Sequence, residues 1–343
     1  MSAKETPFTI VAPCSTSNLG AGFDALGLAL GGPRLSIRWS PASGPLRIAA
    51  LSGEGASSLS RGADNRVLVA ARAAAETLGA SFDSFTGELS IDNTVPLARG
   101  LGSSAAAAVG GAILAEALAS RAPEAPPGHA LRTNDWHAND LRPNDSASLP
   151  RFDGARVLAT ALSLEGHPDN VIACLRGGAQ VAVLDTQGRV QACPLRVEGA
   201  AQSPLRAAVF IPDQELQTSA ARAVIPRTVP LADAVFNLGR SALFVAALAA
   251  GRFELLGEAM SDRLHQPARA SLMPWLPQLI EAAKAAGAYG AALSGAGTTV
   301  FSLAPAGSAE QVVEALRSRA AALGVPGRAL SATAFAPGAR IEG

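Results

Sequence analysis

Between Pro96 and Ser120 the chain reads PLARGLGSSAAAAVGGAILAEALAS. Gly100, Gly102, Ser103 and Ser104 are poor residues for a helix interior, whereas the alanines that follow are the best. The pattern predicts a glycine-rich turn that ends at a helix N-terminus, with Ser103 or Ser104 as the cap. Such a terminus offers unpaired N–H groups and the positive end of the helix dipole, and glycines let an anion approach the backbone. That chemistry suits phosphate, with the serine hydroxyls in reach of the phosphate or its metal ion. The competing reading is an ordinary loop-to-helix junction whose alanines serve close packing. A glycine motif alone does not decide between them.

Three further polar clusters stand out. APCSTSNLGAGFDALGLALGG, from Ala12 to Gly32, follows an apolar strand and holds more Ser, Thr, Asn and Asp than one tight turn needs. It reads as a ligand-facing loop. EGHPDN, from Glu165 to Asn170, gathers two carboxylates, a histidine and an asparagine at a helix end. It reads either as a proline-stopped terminus with His167 on the dipole, or as a cluster for a cation, an ammonium or a hydroxyl. Zinc fits less well, since no second histidine motif lies nearby. In LQTSAARAVIP, Thr218 and Arg222 share a helical face, and HQPARASLMP places Arg269 beside a proline. These arginines matter only if an anion binds between the two halves of the chain. His129, His137 and His265 receive no role.

The elements that must position these groups follow from length and pattern. A chain of 343 residues exceeds the usual single core, so two domains are expected. FTIVAP, RLSIRWS and FTGELSIDNTVP read as strands, and Ala63–Ala80 as a helix with Val67, Ala70, Ala71, Ala74 and Leu78 inward. The Pro/Asn/Asp/Ser-rich stretch 121–150 reads as a mobile insertion. A helix, a polar turn, a short helix and a strand come next, then a linker and the strand AAVFIP. Helices around ADAVFNLGRSALFVAALAAG and LPQLIEAAKAAG precede a strand–glycine turn–strand in AYGAALSGAGTTVFSLAP. The helix SAEQVVEALRSRAAALG opens on a capping box from Ser308 to Gln311. The alternation predicts an α+β protein.

Composition narrows the partners. The 28 basic and 28 acidic residues cancel, leaving no electrostatic case for nucleic acid or an anionic membrane. Cys14, Cys174 and Cys193 form neither a disulfide framework nor a zinc pattern, which favours a reducing cytoplasm. MSAKETPFTIVAP lacks an apolar signal core, and SALFVAALAAG is too short to span a bilayer. A cytoplasmic protein without a membrane partner is the expectation.

Together, APCSTSNLGAGFD, PLARGLGSSAA and ALSGAGTTVF resemble, in that order, motifs of the GHMP small-molecule kinases. EGHPDNV, QTSAARAVIP and the QPAR segment bring the chain closest to the branch that acts on L-homoserine. The likeness covers nearly the whole chain. It implies a two-domain GHMP kinase fold: an N-terminal domain over 1–198, like the second domain of ribosomal protein S5, and a ferredoxin-like C-terminal domain over 199–343. It also implies phosphorylation of the L-homoserine hydroxyl by ATP with Mg²⁺, in threonine biosynthesis, and a homodimer.

Carried over residue by residue, the resemblance puts Pro96, Leu97, Ala98, Arg99, Gly100, Leu101, Gly102, Ser103, Ser104, Ala105 and Ala106 around the ATP phosphates, with Asn65 also on the nucleotide. Ser104 and Glu165 would hold Mg²⁺. Asn18, Asp24, His167, Asp169, Thr218, Arg222, Arg269 and Gly295 would surround the substrate. Arginine suits its carboxylate, and Asp24 and Asp169 suit its ammonium. Asn170, near the reacting hydroxyl, and Ser104 would be the catalytic pair. No general base emerges, so the proton is expected to leave to the phosphate itself.

The chain departs from the family at its long 121–150 insertion and at Thr298, where proline is common and a looser loop is expected. Arg99 either adds a phosphate contact or faces solvent. Two other readings are a kinase for another small alcohol and a non-catalytic nucleotide or amino-acid sensor.

Overall fold

Two long strands organise the molecule: β1 (Phe8–Asn18) and β2 (Gly22–Pro45) pair antiparallel along nearly the whole of β1. The computed structural model describes residues 6–121, 149–197 and 205–343. The expected insertion lies almost wholly outside those residues, as do His129, His137 and the expected boundary at 198/199. The segment Ala12–Gly32, expected as a loop, is mostly strand, with only residues 19–21 turning between β1 and β2. Its small polar residues point into a polar cleft, and so lack the apolar alternation that signals a strand.

β4 (Thr86–Asn93) pairs with β2 and, in parallel, with β3 (Arg47–Gly53). β5 (Ala179–Leu184) joins β2 at Leu26–Leu28 and carries β6 (Val190–Leu195). Four helices, α1 (Arg66–Thr77), α2 (Ser103–Ala119), α3 (Gly154–Glu165) and α4 (Asp169–Arg176), close a core around Ile10, Ile37, Leu89, Ile113 and Val157. Asn65 caps α1 through Val67 N, and Asp153 caps α3 through Ala155 N and Arg156 N. Nearly all of α2 is buried, which is why it is apolar on every side.

In the second half, β7 (Leu205–Pro212), β8 (Gly290–Leu293), β9 (Val300–Pro305) and β10 (Gly327–Ala334) lie in the order β10-β7-β9-β8, all antiparallel. This is the ferredoxin-like arrangement. α9 (Leu276–Ala285) and α10 (Ala309–Ala322) cover one face, where Phe210 points. The other face, carrying Val209, packs against α6 (Leu231–Ala249) and α7 (Leu256–Ala259). Two shorter helices, α5 (Thr218–Ala223) and α8 (Gln266–Arg269), sit where the halves meet. β10 also pairs with β2, and β11 (Arg340–Glu342) with β1, so one eleven-stranded sheet crosses both halves.

Two local expectations fail. Ser308 does not cap α10: its backbone is helical rather than extended, and its hydroxyl donates to Pro305 O instead. The apolar stretch expected to be too short for a bilayer belongs to α6, whose 19 residues have the length and hydropathy to cross one. Phe244, Ala247 and Leu248 of that helix are buried against the sheet.

Candidate active site

The loop after β4 turns through three left-handed residues, Ala98, Gly100 and Gly102. Gly102, not Ser103 or Ser104, caps α2, because the entry turn needs a positive φ of 69°. A Cβ on Gly102 would lie 2.3 Å from Ser15 Oγ, and one on Gly100 2.1 Å from Ser294 O. Both glycines therefore serve the protein's own packing as well as any ligand. Among the described residues no side chain caps α2, so its first N–H groups face the cleft with only Ala106 N bonded back, to Gly102 O.

Arg99 lines the cleft, but its guanidinium is engaged by the protein's own carbonyls. Its guanidinium donates to Pro212 O at 2.9 Å, Asp213 O at 2.8 Å and Leu97 O at 3.0 Å, stapling the loop to the second half. The rest of the loop lines the cleft except Leu97; Ala105 lines it and Ala106 is buried behind it. Asn65 is not in the cleft either, since its amide is occupied by Val67 N and Ser60 O.

Ser104 Oγ donates to Glu165 Oε1 at 2.5 Å, so the two expected metal ligands meet. Arg66 pairs with the same carboxylate oxygen and donates to Leu164 O at 2.8 Å. The sequence reading missed Arg66. Its position at the start of α1 gives no local signal that it reaches across to the end of α3.

Gly166 ends α3 in the left-handed region and aims the next residues into the cleft. His167 does not sit on the α3 dipole; its Nδ1 lies 2.8 Å from Asp169 Oδ1. That contact raises the histidine above its ordinary pKa. Asp169 is buried and also accepts from Asn170 N at 2.8 Å. The Asn170 amide is held on both sides, accepting from Ser15 Oγ at 2.9 Å and donating to Ser17 Oγ at 2.8 Å. Ser15 and Ser17 share one face of β1 by strand alternation, a pairing that the sequence reading did not use.

The turn after β1 is strained as well. Asn18, Leu19 and Asp24 all have positive φ. Asn18 holds the turn, accepting from Asp24 N at 3.0 Å and donating to Gly295 O at 2.8 Å. Arg222 on α5 grips Asp24 with two hydrogen bonds of 3.0 and 2.6 Å, and Thr218 opens the same helix at the cleft wall. Ligand atoms of Asp24, His167 and Asp169 lie within 4.8 Å of one another.

Arg269 is 1 % exposed. Its Nη1 donates to Gly295 O at 2.9 Å and to His265 Nδ1 at 3.0 Å, and its Nε to Ala221 O at 3.2 Å. Burial, and then the nearby Arg222 charge, push its pKa down to about 10, so it stays cationic at neutral pH. Among the described residues nothing takes Nη2, and Arg269 lines the cleft. The loop carrying Gly295 is not loose: Thr298 donates to Gln214 O at 2.7 Å, and Gly295 N to Ser17 O at 3.1 Å.

The uncapped N-terminus of α2 and a densely charged group of side chains thus line one cleft. Residues 65–126 match the GHMP kinases N terminal domain, and residues 244–322 match the GHMP kinases C terminal. The homoserine kinase of Thermus thermophilus is 39 % identical over 304 residues, covering 89 % of each chain.

The chain belongs to the GHMP kinase family.

A second relative, the homoserine kinase of Desulfitobacterium hafniense, is 35 % identical over 96 % of this chain and 98 % of its own. The crystal structure of homoserine kinase from Cytophaga hutchinsonii superposes with a TM-score of 0.76 at 26 % identity, covering 98 % of this chain and 97 % of that one. As a GHMP kinase the protein is an ATP-dependent small-molecule kinase, and the two-domain fold expected from the motifs is the one observed.

Proposed function

We propose that this GHMP kinase is a homoserine kinase, converting L-homoserine and ATP to O-phospho-L-homoserine and ADP in threonine biosynthesis. The curated relatives carry that name over most of the chain. The observation that carries the reading here is the wall opposite the phosphate loop, where Arg222, Arg269, Asp24 and Asp169 converge. Homoserine is a zwitterion. Its carboxylate matches Arg269 Nη2 and Arg222, and its ammonium matches Asp24 and Asp169. Binding exchanges the Arg222–Asp24 pair for two new ion pairs, so neither protein charge is left stranded. Asn18, His167, Thr218 and Gly295 complete the substrate wall.

The open N–H groups of α2 suit the triphosphate of ATP, cradled by Pro96 and by Ala98 to Ala105. Ser104 Oγ and Glu165 supply the hard oxygen donors that Mg²⁺ prefers, and they already touch. When bound, Mg²⁺ neutralises phosphate charge. Asn170, fixed by Ser15 and Ser17, orients the attacking hydroxyl toward the phosphoryl group. An amide takes no proton, so the hydroxyl proton passes to a phosphoryl oxygen as the new O–P bond forms and the bond to ADP breaks, a route that a loose transition state permits.

The homodimer expected from the family has a physical candidate in α6, where Leu231, Val235 and Leu238 are 80, 58 and 71 % exposed on one stripe. Burying that stripe against a second copy would make a homodimer; sedimentation of Leu238→Glu should then report a monomer. The function itself is tested by coupled ADP release with L-homoserine, propanolamine and mevalonate. L-Homoserine should be strongly preferred. Preference for an alcohol lacking carboxylate and ammonium overturns the assignment, and nucleotide binding without turnover of any alcohol favours a sensor.

A further inference from the structure

His265 was assigned nothing by its sequence context, yet it is completely buried beside the substrate wall. Its Nε2 lies 2.8 Å from Gly20 O and its Nδ1 3.0 Å from Arg269 Nη1. A carbonyl oxygen only accepts and a guanidinium only donates. Nε2 must therefore carry the proton, and Nδ1 must be the acceptor, which defines a neutral imidazole in one tautomer.

Both neighbours are fixed. Gly20 has a φ of +84°, and a Cβ there would lie 2.1 Å from Met260 O, so the turn is pressed against the end of α7. The ring of His265 stacks on Phe23 at 5.1 Å, and the guanidinium groups of Arg222 and Arg269 lie 5.5 and 5.4 Å from that same Phe23 ring. Asp24 is the next residue. Asp262 holds the histidine from below, accepting from His265 N at 3.0 Å and from Leu264 N at 3.0 Å.

We infer that His265 is a positioning residue: it ties Arg269, which would take the substrate carboxylate, to the Gly20–Asp24 turn, which would take the ammonium, and so sets the spacing between the two. The inference rests on the homoserine kinase reading above. The charged groups acting on the ring are Asp262, Arg269 and Asp24, and burial keeps the imidazole below its ordinary pKa. A second cation 3.0 Å from Arg269 is thereby avoided.

His265→Phe keeps the ring and its stacking and removes both hydrogen bonds. It should lower kcat/KM for L-homoserine about tenfold, mainly through KM, the loss expected for one charged hydrogen bond. KM for ATP should hold, and turnover of propanolamine, which has no carboxylate, should change far less. The preference for L-homoserine over propanolamine then shrinks by roughly the same factor as kcat/KM. His265→Gln retains one donor and one acceptor and should recover most of that preference. His265→Asn, a smaller lesion that keeps only an acceptor near Nδ1, should fall between them, and it carries the test if the Phe variant does not fold. Equal losses on both substrates, or an unchanged preference in folded Phe and Asn variants, overturn the inference. A parent enzyme without the preference overturns the kinase reading, and this inference with it.

Discussion

The two walls of the cleft are built by opposite means. The phosphate wall is backbone: one contiguous loop, three left-handed residues and a helix terminus without a side-chain cap. The opposite wall is side chains drawn from β1, β2, α4, α5 and α8, and five of them, Asn18, Asp24, Asn170, Arg222 and Arg269, are hydrogen-bonded to residues distant in sequence. A backbone site needs only local geometry, so a short run of sequence specifies it. A site for separated charges needs each charge held at a set distance from the others, and only the assembled fold supplies that.

The largest effect comes from a charge on the substrate wall. Arg269→Leu should lower kcat/KM for L-homoserine by about 100-fold, roughly 3 kcal/mol, with KM for ATP nearly unchanged. Calorimetry should show Tm lowered only modestly, because relief of a buried cation offsets part of the loss of its hydrogen bonds to Ala221 O, His265 Nδ1 and Gly295 O. An equal rise in both KM values would erase the distinction between the walls.

Next in size is Gly102→Ala, which should destabilise the fold by about 2 kcal/mol in denaturant titrations, from the positive φ and the Ser15 contact. Adding Ser15→Ala should restore part of that. Lost ATP affinity at unchanged stability would instead give the glycine to the ligand alone.

Glu165→Gln should raise the Mg²⁺ concentration for half-maximal rate about tenfold, roughly 1.4 kcal/mol, and leave KM for L-homoserine in place. A rise in that KM would show that the two walls share Glu165.

The smallest effect near neutrality concerns His265. Burial lowers its folded-state pKa, so below about pH 6.5 the unfolded ring binds a proton that the folded ring does not. Stability is lost as pH falls through that range. The parent's Tm should accordingly drop relative to His265→Phe on acidification and keep a constant offset above pH 7.5 or so. A constant offset throughout would mean that folding leaves the affinity of the ring for its proton unchanged, and a relative rise on acidification would mean that the ring is charged in the fold.

What the sequence made legible follows the same divide. PLARGLGSSAA could be read because its geometry is local, although the cap is Gly102 rather than Ser103 or Ser104: nothing in Gly-Ser-Ser says which member turns left-handed. Arg222 and Arg269 were visible as isolated cations, but the grip of Arg222 on Asp24 spans 198 residues and leaves no periodic trace. His265 did carry a signal, its i,i+4 spacing to Arg269, which the separating proline obscured. The strand character of Ser15 and Ser17 was hidden because a strand facing a polar cleft has no apolar stripe. The ferredoxin-like order came through family resemblance, while the continuity of one sheet through both halves depends on β10 meeting β2, a register no local pattern encodes.

The pairing of β11 with β1 has a consequence for biosynthesis. Thr9, Ile10 and Val11 lie opposite Glu342, Ile341 and Arg340, and Ile341 is buried in the core beneath α1–α4. On the ribosome, β1 emerges long before β11, so its outer edge stays unpaired until translation has passed residue 342. An open edge invites pairing with other nascent chains. The N-terminal half therefore stays incomplete until the strand Arg340–Glu342 has been made.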